Sequence, residues 1–375
     1  MIELLQNLIR IKSISPKDMG CFDLIETELK KINFNCQRIN YLNIENLYAT
    51  YGDGEKLFCF LGHTDVVPSG PEEKWKYPPF SATIEDDILY GRGVADMKAS
   101  VAAFIESAKE FIKSTDEINF KIAILLTSNE EGTSKDGFID KIIEKMIQEK
   151  EIIDFCLVGE PTSDKKVADC ARIGRRGSLG GYLTIHGKQG HVAYPEKVIN
   201  PILLSGDLIS RLNQKEWDKG NDAFDPTSFQ ISNINSGTGA HNVVPGELKL
   251  TFNFRFSPES SETSLKSDFE SILGDLNLNY DLDWDLNGTP YYTESNFFKE
   301  IVSNAVKDVT GYIPELNAKG GTSDGRFVAK MNSEIIELGP VNKSIHQIDE
   351  HIKISELWIL KDIYKKVLIN LNQNL

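Results

Sequence analysis

Cysteine is scarce in this sequence, and the few cysteines show no pairing pattern. Only five occur among 375 residues, and no two of them form a CxxC pair. A small secreted domain held by disulfides has a much denser set of cysteines, usually even in number. Cys59 and Cys156 lie inside apolar runs, which is typical of buried, reduced thiols. The cysteine usage therefore favours the reducing cytoplasm over a secreted, disulfide-stapled protein.

A secretory leader pattern and membrane-length apolar runs are also missing. Glu3, Arg10 and Lys12 interrupt the first segment, "MIELLQNLIRIKSISPKD", which is typical of an amphipathic helix that ends before Pro16. A transmembrane helix needs about 20 consecutive apolar residues. No run in the sequence approaches that length. We therefore expect a cytoplasmic protein without a membrane segment.

Positive charge is in deficit, because 41 lysines and arginines face 56 aspartates and glutamates, for a net charge of −15. Nucleic acids and anionic membranes are bound through basic surface. A general affinity for either partner is therefore not expected. A few arginines can still build a local positive pocket for a small anionic substrate.

Internal repeats and low-complexity segments are missing too, and 375 residues are enough for two domains. The first half of the chain alternates between strand-like and helix-like patterns. The strand-like runs include "KLFCFLGHTD", "KIAILLTS" and "IIDFCLVGE", and the helix-like runs include "DMKASVAAFIESAKEFIKS" and "KDGFIDKIIEKMIQEK". This alternation predicts an α/β domain with a mixed, mostly parallel sheet flanked by helices.

The pattern changes near residue 177. The following stretch predicts the order β-α-β-β-α-β, which is the split βαβ arrangement of a ferredoxin-like α+β domain. After residue 290 the α/β style returns with "NFFKEIVSNAVKDVTG", "SEIIELGP" and a closing helix. We therefore predict one domain formed by residues 1–176 and 291–375, interrupted by a smaller domain at residues 177–290.

Chemically capable side chains follow the apolar runs of the α/β domain. In open α/β sheets, functional groups gather at the carboxyl ends of the strands. The residues that follow successive runs are His63, Asp65, Asp96, Glu130, Glu131, Glu160 and His346. Histidine and carboxylate side chains are the residue types that ligate zinc. Their recurrence after five runs indicates a metal site at one sheet edge.

Each of these residues also has a simpler interpretation. His63 alone is more often a satisfied, partly buried histidine, and His346 alone is more often a surface histidine. Asp65 and Asp96 have the residue type that caps helices, and Glu160 could be a solvated loop residue. Capping does not explain two adjacent glutamates at a strand end, nor histidines at the same edge of the sheet.

The number of candidate ligands favours two metal ions over one. A single catalytic zinc takes about three protein ligands plus water. Two close cations lower the pKa of a water that they share and polarise a carbonyl oxygen. Hydrolysis also needs a base that is not a ligand and that passes a proton to the leaving amine. Of the two adjacent glutamates, one can therefore hold metal while the other faces the water.

The motifs resemble the M20 peptidase family of metal-dependent aminoacylases and carboxypeptidases, whose members have a di-zinc site. The matching stretches are "GHTDVVPSG", "GRGVADMKAS", "TSNEEG", "GEPTS" and "SIHQIDE", in the order of the family. The resemblance runs nearly end to end. Three further stretches, "RIGRRGSLGGYLTIHGKQGHVAYP", "SGTGAHNVVPGELKLTFNFRFSPE" and "GGTSDGRF", resemble the subgroup that hydrolyses a succinylated diamino acid.

The resemblance implies a role for each residue at a strand end. His63 and Glu160 would hold one metal ion, Glu131 and His346 the other, and Asp96 would bridge them. Glu130 would be the general base, and Asp65 would orient the imidazole of His63 through its carboxylate. The implied cofactors are two Zn²⁺ per subunit, with Co²⁺ as an alternative at one of the two positions.

The resemblance also implies that the inserted domain is a lid and dimerisation domain of a homodimer. His191 would reach the partner's active site and help to stabilise the oxyanion, although alone it is typical of a loop. The substrate would be a small anionic N-acyl amino acid. Its expected contacts are Arg175, Ser178, Asn242, Arg255, Gly321 and Thr322. Where the subgroup often has an asparagine before Asn242, this chain has His241.

Other functions stay open at this point. "GGTSDG" contains a formal G-x-S-x-G match at Ser323, with His346 after it, as in a serine hydrolase. A non-catalytic metal-binding protein would not need Glu130 in addition to Glu131. Within the family, N-acetylornithine or a short peptide is the alternative substrate. Nucleotide binding has little support, because the sequence contains no G-x-x-x-x-G-K-[ST] motif.

Overall fold

The computed structural model describes residues 1–132 and 138–375. The chain forms two compact units, which we call the larger unit and the smaller unit. The larger unit consists of Met1–Gly174, Tyr292–Asn317 and Ser323–Leu375, and the smaller unit of Arg175–Tyr291 and Ala318–Thr322. The predicted boundaries at residues 176 and 291 lie close to the positions at which the chain passes from one unit to the other, between residues 174 and 175 and between residues 291 and 292. The short return of residues 318–322 to the smaller unit has no counterpart in the predicted division.

An eight-stranded mixed sheet forms the centre of the larger unit. In spatial order its strands are Asn35–Arg38, Asn46–Tyr51, Phe120–Thr127, Lys56–His63, Phe155–Val158, Glu334–Glu337, Cys170–Arg172 and Glu315–Asn317. The four strands from Phe120–Thr127 to Glu334–Glu337 are mutually parallel. Lys56–His63 is buried from its second residue onward, because both faces of the sheet are covered at this strand. The predicted α/β class is confirmed.

Helices cover this sheet. The described helices of the larger unit are Ile2–Arg10, Cys21–Lys30, Ala99–Ser114, Phe138–Gln148, Phe297–Thr310, Gly325–Val328 and Ile354–Asn374. Phe104 of Ala99–Ser114 stacks on Phe60 of the sheet with ring centroids 4.3 Å apart. A small antiparallel sheet of Thr83–Glu85, Ile88–Tyr90 and His351–Lys353 completes the unit. The start of the helix predicted from residue 135 lies outside the described residues.

The smaller unit has the predicted β-α-β-β-α-β order. Its strands are Gly177–His186, Ser228–Ser236, Glu247–Phe256 and Tyr280–Gly288, and its helices are Pro201–Gln214 and Glu262–Asp275. The spatial order, with Ser228–Ser236 at one edge and Tyr280–Gly288 at the other, is the 4-1-3-2 order of a ferredoxin-like sheet. All three strand pairs are antiparallel. The core between the sheet and helices contains Phe252 stacked on Phe269, with centroids 4.5 Å apart.

Short elements complete the described chain. The remaining strands are Gly174–Arg175, Gly190–His191, Val243–Val244 and Tyr291–Tyr292, and the single 3-10 turns are Glu72–Lys74, Pro195–Lys197 and Ala329–Met331. All five cysteines are free, and Cys59 and Cys156 are buried as predicted. No helix within residues 1–132 and 138–375 is both long and apolar enough to cross a bilayer.

Candidate metal centre

Three neighbouring parallel strands bring four of the candidate residues to one edge of the sheet. His63 is the last residue of Lys56–His63 and pairs with Thr127, the last residue of Phe120–Thr127. Glu130 and Glu131 therefore lie a few residues beyond that pair. Glu160 follows the next parallel strand, Phe155–Val158. These side chains converge because the carboxyl ends of parallel strands meet at the same edge.

Asp96 lies in a turn that precedes a long helix. The turn Val94–Lys98 leads into Ala99–Ser114, and Asp96 itself has non-helical angles of φ −123° and ψ 92°. The Asp96–Met97 peptide bond is cis. The N-cap position of Ala99–Ser114 is occupied by Lys98, two residues after Asp96. Its carboxylate is instead directed at two histidines, so the interpretation of Asp96 as a helix cap is wrong.

His346 reaches the same edge from a distant part of the sequence. It lies between the strands Glu334–Glu337 and His351–Lys353 and has a left-handed backbone conformation, with φ 61°. Its side chain is 47% exposed, whereas that of His63 is 1% exposed. The two histidines therefore approach the cluster from opposite environments, one from the core and one from the surface.

The donor atoms form two groups that share Asp96. In the group that we call the His63 subsite, Nε2 of His63 lies 3.2 Å from Oδ1 of Asp96 and 3.7 Å from Oε1 of Glu160. In the His346 subsite, Nε2 of His346 lies 3.2 Å from Oδ2 of Asp96 and 2.7 Å from Oε1 of Glu131. Within each subsite one ligand atom from each residue lies within 4.8 Å of the others.

The donor set suits divalent metal ions. Each subsite combines one imidazole nitrogen with two carboxylates, which are ligands of catalytic zinc. Three protein ligands leave a coordination position for water or substrate at each subsite. The two oxygens of Asp96 serve one subsite each, as a bridging carboxylate would. The structure thus brings together all five residues that the sequence proposes as ligands.

The charges of the cluster are strongly coupled. Removal from water raises the pKa of Glu160 well above its usual range, and the nearby carboxylates of Asp96 and Glu130 raise it further. Burial opposes protonation of His63, but the hydrogen bond with Asp96 and the surrounding carboxylates raise its pKa well above the usual value. Hydrogen bonds with Asp96 and Glu131 raise the pKa of His346 to about 10. Both histidines thus lie among carboxylates that favour positive charge at this position, whether a proton or a metal ion carries it.

Glu130 lies beside both subsites. Its carboxylate belongs to a third close group with His63 and Glu131. Desolvation raises its pKa well above the usual range, and the carboxylate of Asp324 is the next largest cause. Cations in this group would favour the ionised form of Glu130, because opposite charges lower a carboxyl pKa. The position is compatible with a base that faces a reacting water.

Asp65 acts differently from the expectation. Nδ1 of His63 is hydrogen-bonded at 2.9 Å to the backbone carbonyl oxygen of Asp65, whereas Oδ1 of that residue is 3.6 Å away. The carboxylate of Asp65 instead accepts hydrogen bonds from the backbone amides of Glu130 and Glu131, both at 3.1 Å, and from the hydroxyl of Ser15. The buried Asp65 therefore ties the imidazole through its main chain and the two glutamates through its side chain.

Asp324 is a buried acidic residue near the centre that sequence reasoning did not assign. Burial raises its pKa to about 6, against the opposing charge of Arg326. It follows Ser323 in "GGTSDGRF", so the motif was a signal for this segment although the residue itself received no role. Its electrostatic effect on Glu130 depends on tertiary proximity across nearly 200 positions of the chain.

The hydroxyl of Ser323 is not available as a nucleophile. The side chain is fully buried, and its Oγ donates a 2.5 Å hydrogen bond to Oε1 of Glu337, which is also buried. A G-x-S-x-G nucleophile must instead be exposed on a sharp turn. The serine hydrolase alternative is therefore not supported.

The other predicted site residues belong to the smaller unit, where they lie in three groups. Nη1 of Arg175, which is buried, donates at 3.1 Å to the carbonyl oxygen of Lys319, beside Gly321 and Thr322. Gly320 has φ 99°, and a Cβ there would lie 2.5 Å from Nη1 of Arg175. The left-handed φ favours glycine at position 320. Arg175 is therefore a buried residue of the smaller unit and not a solvated one.

The second and third groups lie on or beside strands of the smaller unit. Ser178 and Arg255 are directly opposite each other on adjacent antiparallel strands. His191, which lies in a short strand and not in an irregular loop, pairs with Val243. The neighbouring Val192 amide donates to the carbonyl oxygen of Asn242 at 3.1 Å. The structure brings the members of each group together within the unit.

Comparison with known proteins places the chain in a family. The model of the peptidase family M20/M25/M40 matches residues 59–370. The succinyl-diaminopimelate desuccinylase of Hydrogenovibrio crunogenus is 49% identical over 372 residues, which cover 99% of this chain and 98% of the relative.

Two solved structures share the fold at low sequence identity. An M20 family metallo-carboxypeptidase from Sulfolobus solfataricus has a TM-score of 0.83 at 20% identity, over 100% of this chain and 99% of its own. A dinuclear metal binding peptidase of the M20 family from Bacillus subtilis has a TM-score of 0.72 at 13% identity, over 100% of this chain and 98% of its own. Similarity at these identities concerns the fold alone.

Proposed function

The chain belongs to the peptidase family M20/M25/M40, and from that premise we propose that it is a metal-dependent amidohydrolase acting on N-succinyl-LL-2,6-diaminopimelate. The products are succinate and LL-2,6-diaminopimelate, and the latter is an intermediate in the synthesis of lysine and cell-wall precursors. The observation that carries the proposal is the 49% identity, over 99% of the chain, to a relative named succinyl-diaminopimelate desuccinylase. The three subgroup-like stretches of the sequence support the same substrate.

Each residue of the centre has a proposed task. His63 and Glu160 would hold one cation, Glu131 and His346 would hold the other, and Asp96 would contribute one oxygen to each. When bound, such a pair of cations acidifies water and polarises the scissile carbonyl. Glu130 then accepts a proton at its carboxylate and delivers it to the leaving amine nitrogen. Asp65 holds the amides of both glutamates, so that base and ligand stay side by side.

The proposed ions are two Zn²⁺ per subunit, with Co²⁺ as the alternative at one of the subsites. Mixed nitrogen and oxygen ligation fits zinc, whereas Mg²⁺ and Ca²⁺ prefer oxygen ligands alone. The two groups of donor atoms that share Asp96 support a two-ion centre.

The smaller unit supplies the proposed contacts to the substrate carboxylates. Arg175 and Arg255 can grip carboxylates in bidentate fashion, and Ser178, Asn242, Gly321 and Thr322 can offer hydroxyl, amide and backbone hydrogen bonds. The substrate carries several carboxylates, which explains the need for arginines in a chain whose net charge is −15.

We assign the smaller unit to homodimer formation in the cytoplasm, with His191 serving the partner's active site. Support comes from its exposed apolar side chains: Ile199, Ile202 and Leu203 are 50%, 45% and 76% exposed, and Ile234 of the edge strand Ser228–Ser236 is 50% exposed. Exposed apolar groups beside an open strand edge are common features of association surfaces.

Product analysis of the purified protein tests the proposed reaction. We expect stoichiometric succinate release from N-succinyl-LL-2,6-diaminopimelate, and slower acetate release from N-acetylornithine or hydrolysis of dipeptides. A chelator such as phenanthroline should abolish succinate release, and Zn²⁺ should restore it. Acetate release that is faster than succinate release would contradict the proposed substrate. Activity that resists chelation and is lost on treatment with a fluorophosphonate would contradict the proposed metal-dependent reaction.

A further inference from the structure

A fully buried ion pair lies behind the metal centre, between two residues that no proposed step uses. Nη1 of Arg92 donates to Oε2 of Glu350 at 2.6 Å, and their side chains are only 2% and 1% exposed. The two residues are 258 positions apart. Charges are removed from water only at a large cost, so a buried pair needs further hydrogen bonds on both sides to be favourable.

The carboxylate of Glu350 makes such bonds to the segment that carries the shared ligand. Its Oε1 accepts from the backbone amide of Ala95 at 2.9 Å and from that of Asp96 at 3.2 Å. Asp96 has non-helical angles in the middle of its turn, so regular helical hydrogen bonds do not fix its position. Glu350 therefore supplies the support that the helix does not give.

The guanidinium of Arg92 makes a corresponding bond to the segment of the second histidine. Its Nη2 donates to the backbone carbonyl oxygen of His346 at 3.3 Å. Arg92 also packs over the ring of Trp75, with its guanidinium carbon 5.2 Å from the ring centroid. The arginine thus reaches the half-exposed His346 from a rigid position within the larger unit.

The two subsites consequently rely on different supports. His63 ends a buried parallel strand, and its ring is held by the carbonyl oxygen of Asp65. His346 is outside any strand or helix, with a left-handed backbone, and Arg92 bonds to its main chain. The Arg92–Glu350 ion pair therefore connects the carbonyl oxygen of His346 to the backbone amide of Asp96, and both residues are proposed ligands of the His346 subsite.

We propose that Arg92 and Glu350 are positioning residues that set the separation of Asp96 and His346 and thereby the metal affinity of the His346 subsite. The inference rests on the proposed metal centre, although it does not depend on which substrate is hydrolysed. Residues that orient ligands typically change metal affinity by about 10- to 100-fold when they are replaced. The His63 subsite should be much less sensitive to Arg92, since the direct support of His63 comes from its own strand.

Titration of the metal-free protein with Co²⁺ tests the proposal without any activity measurement. Calorimetry gives the dissociation constant of each ion, and visible absorbance reports the coordination of each. In Arg92→Lys the lysine can still pair with Glu350, but it cannot also donate to His346 from a second nitrogen. We expect one ion to bind about 10- to 100-fold more weakly. The other ion should keep its dissociation constant within about twofold.

His346→Ala identifies the subsite that is affected. In that variant only the ion of the His63 subsite should remain, and adding Arg92→Lys should change its dissociation constant by less than about twofold. An equal weakening of both ions by Arg92→Lys, no weakening, or an equal loss in the His346→Ala background would overturn the proposal. A wild-type protein that binds fewer than two ions would overturn it as well.

A second variant and a matched control separate positioning from general stability. Glu350→Gln keeps an acceptor for the two amides but removes the charge, and we expect it to weaken the same ion. Glu110→Gln breaks an ion pair with Lys361, whose side chain is 8% exposed, between the helices Ala99–Ser114 and Ile354–Asn374. Glu110→Gln should lower the unfolding midpoint while leaving both Co²⁺ dissociation constants unchanged. A change in Co²⁺ affinity equal to that of Arg92→Lys would show that stability alone is responsible.

Discussion

The two units of the molecule bury different kinds of side chain. In the larger unit, charged residues lie at the sheet edge with almost no exposure, including His63, Asp65, Arg92, Asp96 and Glu350. The core cluster of the smaller unit is apolar and rich in aromatic rings, such as Phe252, Phe254 and Phe269. A buried charge is unfavourable unless it is paired and hydrogen-bonded. The larger unit therefore retains a costly arrangement that packing alone does not require.

This difference indicates how the two units contribute to function. In the larger unit, desolvation raises the pKa values of the buried Glu130 and Glu160, and hydrogen bonds with Asp96 and Glu131 raise that of the half-exposed His346. In the smaller unit the aromatic core cluster contributes packing. The substrate contacts and the association that we propose for the smaller unit would therefore involve groups outside its aromatic core. The following substitutions would break or sharpen this contrast, in order of decreasing effect.

Glu130→Gln should have the largest effect. Removing the proton acceptor should lower kcat by about 10²–10⁴-fold, because that is the usual contribution of a general base. Metal content by mass spectrometry should stay at the wild-type value. Glu131→Gln is the matched comparison one residue away, and it should lose the ion of the His346 subsite. A near-normal kcat for Glu130→Gln would remove the assignment of Glu130 as the base.

Phe269→Ala should separate the two interiors. Phe269 is fully buried and stacks on Phe252, so the cavity should lower the free energy of unfolding of the smaller unit by about 3–5 kcal/mol. Urea unfolding measures this loss. Co²⁺ affinity, measured under native conditions, should stay within about twofold, since every proposed ligand lies in the larger unit. Reduced metal affinity in a folded Phe269→Ala protein would contradict the separation.

Asp218→Asn should lower the free energy of unfolding by less than Phe269→Ala does, and the size of this loss should depend on pH. The carboxylate of Asp218 accepts hydrogen bonds from Gly220, Thr227, Ser257 and Ser260, and these bonds lower its pKa to about 2 despite partial burial. A lowered folded-state pKa stabilises the protein above the unfolded value of about 3.9, and this stabilisation is lost as the pH falls through about 2.

We therefore expect Asp218→Asn to lower the free energy of unfolding by about 2 kcal/mol at pH 7, the size of a charge-assisted hydrogen bond. The difference from wild type should shrink between about pH 4 and pH 2. Urea unfolding at a series of pH values measures both. A difference that grows at low pH would mean that the interactions of Asp218 have the opposite sign.

Leu203→Glu should have the smallest effect on the folded chain. The side chain is 76% exposed on the helix Pro201–Gln214, so monomer stability should change by no more than about 0.5 kcal/mol. If this surface joins two copies, the charge should shift the molecular mass measured by light scattering from dimer to monomer. Asn287→Glu places the same charge on an exposed position of Tyr280–Gly288, the strand at the opposite edge of the sheet from Ser228–Ser236, and should leave the mass unchanged. Equal masses for Leu203→Glu and wild type would exclude this face from the interface.

Periodicity and strand ends predicted much of the fold and most of the cluster. The alternation of strands and helices, and the β-α-β-β-α-β insert, are local hydrophobic patterns, and both are present in the structure. The convergence of His63, Glu131 and Glu160 follows from parallel strands that share an edge. The exchange of residues 318–322 between units could not be predicted, because no composition change marks such a short return.

The sequence by itself determined which residue types stand at the sheet edge, because apolar runs and their polar ends are local features of the chain. Only the tertiary structure decided how those residues are held. The carboxylate of Asp65 bonds to the amides of Glu130 and Glu131, although the sequence favoured His63 as its partner. Arg92 and Glu350 meet across 258 positions. Main-chain donors and distant ion pairs leave no local pattern, and they form only when folding brings them together.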